Sequence, residues 1–301
     1  MKQQAIQIGL IGAGLMGSGI AASLLRHKHS VTILEHEGNQ PLDPLIEAGA
    51  KTAKSAAELA GSSDIVILCV TGSPQVEQVL FQEDGVLAGL RKGATVIDCS
   101  TAIPSSTLKI ATTVKDAGGE FLDAPMTRTP KEAAEGRLNL IVGGDRDVFD
   151  HCMPVLKCYA ENITHAGAVG SGHRMKLLHN YVSLGFAAVL AEAAACAHKA
   201  GTDPQTFCEI LAKGGGAGVV LDRMRPFIEA DDPSGFRFSI SNTLKDISYY
   251  CTMAQEQNAQ SHVAQAIRAL YGEATSAGLD QAPLPELIHY LEAFSPPPST
   301  L

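Results

Sequence analysis

Lys176 and Asn180 stand four positions apart in Gly170-Ser171-Gly172-His173-Arg174-Met175-Lys176-Leu177-Leu178-His179-Asn180, a helix-compatible run. Both therefore project from one helix face. In the second turn of such a helix the partial positive charge of the N-terminus disfavours an ammonium, and so does burial, to which the apolar neighbours Met175, Leu177 and Leu178 point. A lysine tuned downward in this way suits general acid and base work, and Asn180 is the candidate to orient a substrate.

A second constellation lies near the beginning of the chain. The apolar run Ile6 to Ile11 leads into Gly12-Ala13-Gly14-Leu15-Met16-Gly17 and then into a helix-compatible stretch, Ser18 to His27. In that context the three glycines form a dinucleotide-binding fingerprint: the first for the tight turn, the second for close approach of backbone to a pyrophosphate, the third for close helix packing. Glu35 closes the next apolar run, where a carboxylate accepts hydrogen bonds from ribose hydroxyls, and its neighbour is His36 rather than an arginine. A 2′-phosphate there would meet like charge, so the spacing predicts NAD rather than NADP. The loops Val70-Thr71-Gly72-Ser73-Pro74 and Asp98-Cys99-Ser100-Thr101 follow two further apolar runs and should flank the cofactor.

The elements that must hold these residues follow from periodicity. Short apolar runs at Ile6–Ile11, Val31–Leu34, Ile65–Val70, Thr95–Asp98, Phe121–Leu122 and Leu138–Val142 alternate with helical segments. Runs as continuous as IVILCV belong to strands covered on both faces, which predicts a doubly wound α/β Rossmann domain over residues 1–165. From residue 166 to 301 helical segments follow one another, predicting an all-α domain that opens with a long helix, Gly172–Ala200, apolar nearly all the way round. The prolines of Ser295–Leu301 predict a frayed tail.

Composition narrows the partners. A net charge of -9 argues against a nucleic-acid backbone as ligand. Seven scattered cysteines without a CxxC pair point to a reducing cytoplasm and to neither a disulfide framework nor a metal site. Met1 to Gly9 lack the pattern of a secretory signal. The apolar stretch Tyr181–Ala197 is interrupted by Glu192 and lacks flanking anchors, so a buried helix is expected there and no membrane partner.

Three motifs in order, GLIGAGLMG, FLDAPMTRTPKEAAEGRLNLIVGG and GSGHRMKLLHN, followed by Leu244-Lys245-Asp246, resemble the β-hydroxyacid dehydrogenases over nearly the whole chain. The resemblance implies a catalytic Lys176, Ser100 or Thr101 beside substrate, and Lys245 near substrate or nicotinamide. It also implies a homodimer or homotetramer. The chain departs from that family at Thr127-Arg128-Thr129, where members commonly carry Ser-Gly-Gly. Arg128-Thr129 with Asn180-Tyr181-Val182-Ser183 resembles the sulfolactaldehyde-reducing members, so Arg128 is expected to bind a sulfonate or second carboxylate of a small hydroxy acid or semialdehyde. The competing reading has Arg128 pair with Glu132, four positions on, or point to water. Two other readings stand: an oxidative decarboxylase like 6-phosphogluconate dehydrogenase, whose K-x-x-H-N the Lys176–Asn180 run resembles, and a non-catalytic dinucleotide sensor. His179 reads as a packed helix residue, and Ser183 stands where the decarboxylase would carry an acid.

Overall fold

Strands form where β-branched and aliphatic residues run together. The computed structural model describes residues 6–293, so the expected tail, Ser295–Leu301, lies outside it. Among the described residues the sheet has nine strands: β1 (Gln7–Ile11), β2 (Ser30–Leu34), β3 (Lys51–Ala53), β4 (Ile65–Leu68), β5 (Thr95–Asp98), β6 (Glu120–Asp123), β7 (Met126–Thr127), β8 (Leu138–Gly144) and β9 (Ala160–Gly167). Their order is β3-β2-β1-β4-β5-β6-β8-β7, with β9 also paired to β8. The first six are parallel, β8 runs antiparallel to β6 and to β7, and β9 is parallel to β8.

The expected α/β architecture holds, with three strands that periodicity did not flag: β3, β7 and β9. Both faces of the parallel part are covered. Ile65 and Ile67 of β4 enter the core on one side with Ile8, Leu10 and Leu24, while Val66 and Leu68 enter the other with Val96 and Val114. Alternate side chains of one strand thus lie in two different apolar layers, which is why the run has no polar member.

Residues Met1–Lys176 and Leu177–Leu301 form two compact units. The second is helical and is built around the continuation of the long helix Ser171–Lys199. Leu184, Ala187, Ala191 and Ala195 from that helix pack with Leu221, Phe227 and Tyr271, and the Tyr271 hydroxyl donates to the Leu184 carbonyl at 2.8 Å. Small alanines let neighbouring helices approach closely. The helix is long and apolar enough to cross a membrane by length and composition, yet these residues belong to a protein core. The expectation of burial all round is corrected, because Leu178, Val182 and Val189 are exposed, Val182 at 69%.

Candidate active site

The glycine turn has the shape its sequence requires. Gly12 sits at φ +94°, and a side chain there would press on the Cys69 carbonyl oxygen, 2.4 Å from an added Cβ. An added Cβ on Gly17 would stand 2.0 Å from the carbonyl oxygen of Gly12. The helix Leu15–Arg26 therefore touches its own entry turn through a bare Cα. At Gly14, by contrast, an added Cβ meets nothing within 4 Å.

Gly14 is also the N-cap, and no side chain caps the helix. The first amides of a helix have no intrahelical acceptor, and they face the positive end of its dipole. With no acidic residue in the first turn, this end is built for an anion such as a pyrophosphate, and the residues present fit a dinucleotide. The turn is held in place by Asn39, which the sequence reading passed over. Its side-chain oxygen accepts the Ala13 N–H at 3.1 Å and its amide donates to the Leu34 carbonyl at 2.9 Å, tying the turn to the end of β2. Beyond that end Glu35 and His36 are exposed.

The loops after β4 and β5 are stapled to each other. Ser100 is buried, and its hydroxyl oxygen accepts the Val70 N–H at 3.1 Å; the Ser73 hydroxyl oxygen accepts the Ile103 N–H at 2.8 Å. Both serines thus have a structural role in shaping the carboxyl edge of the sheet. Thr101 is half-buried beside them. Cys69 is no candidate nucleophile, since burial, reinforced by Asp98, pushes its thiol up to about 12.

Lys176 is half-buried, and its Nζ donates to the Met126 carbonyl oxygen of β7 at 2.6 Å. Of the apolar neighbours that suggested burial, Leu177 is fully buried, whereas Met175 and Leu178 are exposed. The side chains that follow Met126 all have internal partners. Thr127 Oγ1 accepts from the Asn139 amide at 3.1 Å, and the Thr129 amide and hydroxyl donate to Glu132, holding that carboxyl below its usual range. Arg128 donates to Glu161 and to the Arg137 carbonyl. The internal partner of its guanidinium is thus the carboxylate of Glu161 rather than that of Glu132. Arg128 also sits at φ +82°, a left-handed conformation that favours glycine.

In the helical unit Asn180 is buried, its amide donating to Asp246 Oδ2 at 2.6 Å. The Lys245 Nζ stands 3.2 Å from Asp246 Oδ1. Asp246, 2% exposed, thus joins the two residues singled out in this unit; the sequence reading quoted it without giving it a role. His179 is exposed, with Nδ1 3.0 Å from the Asn180 side-chain oxygen, which corrects its reading as a packed residue.

A sheet whose first six strands run parallel in this order, with a glycine turn at the end of β1 and an uncapped helix after it, is a dinucleotide-binding fold. Two family models cover the chain: the NAD binding domain of 6-phosphogluconate dehydrogenase over residues 7–167, and the NAD-binding domain of NADP-dependent 3-hydroxyisobutyrate dehydrogenase over 170–291. Among curated relatives, the 2-hydroxy-3-oxopropionate reductase of Escherichia coli is 35% identical over 72% of this chain and 74% of its own length. The cytokine-like nuclear factor N-PAC of Xenopus tropicalis is 32% identical over 72% of this chain but only 40% of its own length. The crystal structure of a 3-hydroxyisobutyrate dehydrogenase from Salmonella typhimurium matches with a TM-score of 0.82 and 27% identity, covering 95% of this chain and 99% of that one. The chain belongs to the β-hydroxyacid dehydrogenase family of NAD(P)-dependent oxidoreductases.

Proposed function

We propose that this chain interconverts a small carboxylate-bearing hydroxy acid and its semialdehyde, of the tartronate semialdehyde or 3-hydroxyisobutyrate class, with NAD(H) as cofactor and Lys176 as general acid and base. The observation that carries the reading is the hydrogen bond from Lys176 Nζ to the Met126 carbonyl. That hydrogen bond fixes the direction of the amine from a backbone atom of β7. The amides at the start of Leu15–Arg26 would hold the cofactor phosphates and Glu35 the adenosine ribose, with Val70, Thr71 and Ser73 flanking the cofactor. The nicotinamide, when bound, supplies or takes the hydride. Lys176 gives a proton to the substrate carbonyl oxygen in reduction and takes the hydroxyl proton in oxidation. Ser100, Thr101, Thr127, Asn180 and Lys245 would line the substrate. We assign residues 1–165 to cofactor binding, residues 166–301 to substrate binding and assembly, and the protein to the cytoplasm.

A sulfolactaldehyde substrate stands beside tartronate semialdehyde and 3-hydroxyisobutyrate and turns on Arg128, which would have to exchange Glu161 for the sulfonate. The test is an assay of turnover on tartronate semialdehyde, 3-hydroxyisobutyrate and sulfolactaldehyde with NADH/NAD+ and NADPH/NADP+ in parallel, repeated for Arg128→Gly. Turnover of the carboxylate substrates with NAD(H) preferred is expected. Arg128→Gly should change kcat/KM by less than about fivefold, because its ion pair is a partly exposed one worth ~0–1 kcal/mol. A selective loss on sulfolactaldehyde of about tenfold or more would favour the sulfonate reading, and tighter use of NADPH would remove Glu35 from cofactor choice. N-PAC is named as a nuclear factor and not as an enzyme, and one other reading therefore stands beside the first, a non-catalytic dinucleotide-binding protein. Absence of turnover on every substrate would favour it.

We further propose a homodimer or homotetramer assembled through the exposed apolar face of the long helix, Leu178, Val182 and Val189. Light scattering decides it; a monomer at assay concentration would refute the assembly.

A further inference from the structure

Three buried ionisable groups with no place in the mechanism above meet at the carboxyl edge of the sheet. Asp98 ends β5 and Asp123 ends β6, and the two are register partners on adjacent parallel strands. His173 lies in the first turn of the long helix, one turn ahead of Lys176. All three are 0% exposed. The His173 ring stands between the carboxylates, with Nε2 3.9 Å from Asp98 Oδ2 and Nδ1 4.0 Å from Asp123 Oδ2.

The hydrogen bonds around the ring bear on how many protons it holds. Nε2 lies 3.2 Å from the Ser100 carbonyl oxygen, and a carbonyl can only accept, so Nε2 carries a proton. Nδ1 lies 2.7 Å from Thr107 Oγ1, whose hydroxyl also stands 3.2 Å from the Ile103 carbonyl oxygen. When that hydroxyl turns its proton to Ile103, the contact at Nδ1 is a hydrogen bond only if Nδ1 donates too.

The surroundings ask for the same charge. Asp98 Oδ2 is buried and makes no hydrogen bond, an expensive arrangement for a carboxylate unless a cation is close. Asp123 caps the helix from outside, accepting the Gly170 N–H at 2.7 Å and the His173 N–H at 2.8 Å. Burial pushes Asp123 up, while His173 and these amides draw it back down. The other titratable groups facing Asp98 are the thiols of Cys69 and Cys99, which burial keeps neutral.

We propose that His173 is a doubly protonated imidazolium locked between Asp98 and Asp123, and that it is a positioning residue: the cluster fixes the first turn of the long helix and so the place of the Lys176 amine. Its effect on turnover rests on the assignment of Lys176 above; its charge state does not. A helix start left free to shift would carry Lys176 with it, and a misplacement on the ångström scale costs up to about 100-fold in rate.

The charge state is read by 1H–15N NMR of the full-length protein labelled at histidine, with His173 assigned by comparison with His173→Gln. Two protonated ring nitrogens at neutral pH are expected, and one unprotonated nitrogen would overturn the proposal. In kinetics, His173→Gln should lower kcat roughly 10- to 100-fold with little change in NADH affinity. Adding Asp98→Asn to that variant should restore part of the loss, since it removes the carboxylate left uncompensated. A packing role alone predicts no such rescue, and its absence would refute the charge pairing. An unchanged kcat in His173→Gln would refute positioning. Lys176→Ala assayed alongside tells whether that failure lies with His173 or with the assignment of Lys176.

Discussion

Lys176→Ala is expected to lower kcat by about 10²–10⁴-fold, the range that a positioned general acid or base contributes, while the Kd for NADH stays as in wild type. The separation follows from where the two tasks are placed. Cofactor phosphates are assigned to the amides at the start of Leu15–Arg26, and proton transfer to an amine held by the Met126 carbonyl. Lys176→Arg sharpens the test, because a guanidinium keeps the cation but does not give up its proton near neutral pH. It should therefore fail as base in oxidation almost as completely as alanine. Stopped-flow NADH oxidation reads the chemical step, and fluorescence titration reads binding. Retention of more than about a tenth of wild-type kcat in the alanine variant would remove Lys176 from the reaction.

How much of this was legible in the sequence depends on how local each cause is. The run Ile65–Leu68 announces a strand because all four of its side chains must be apolar, whichever face they take. The glycine turn is legible for the same reason: Gly12 and Gly17 answer to atoms within a few residues, or to the neighbouring strand end. β9 is not legible, since AENITHAG exposes Glu161 and Asn162 and is held by backbone pairing to β8 rather than by its own pattern.

That omission propagates. With β9 unseen, nothing in the sequence brings Glu161 to Arg128. The sequence offers Arg128 only Glu132, water or a substrate anion, whereas the pairing of β7 with β8 and of β8 with β9 delivers a carboxylate from 33 residues away. The cluster of Asp98, Asp123 and His173 was hidden by the same logic. Each member alone is an ordinary polar residue at a strand end or helix start. Only the β5–β6 register and the closeness of the helix start to those strand ends make them neighbours.

Gly14→Ala and Gly17→Ala should separate the cofactor's path from the fold's own needs. At Gly14 the backbone is extended, at φ -70° and ψ -161°, and an added Cβ meets nothing within 4 Å. Alanine is therefore accommodated by the protein, and the melting temperature of the unliganded variant should match wild type. If the pyrophosphate passes over this residue, the new methyl occupies its path. Overpacking of about 1–3 kcal/mol then weakens NADH binding roughly 5- to 150-fold. At Gly17 the added Cβ stands 2.0 Å from the Gly12 carbonyl oxygen, a backbone atom that cannot turn aside as a flexible side chain would. Here the same 1–3 kcal/mol falls on the fold, and the melting temperature should drop by roughly 2–12 °C before any cofactor is added. Thermal unfolding with and without NADH, together with binding titrations, reads both effects. A Gly14→Ala protein that binds NADH as tightly as wild type would place the pyrophosphate elsewhere and leave the glycine turn with a structural role alone.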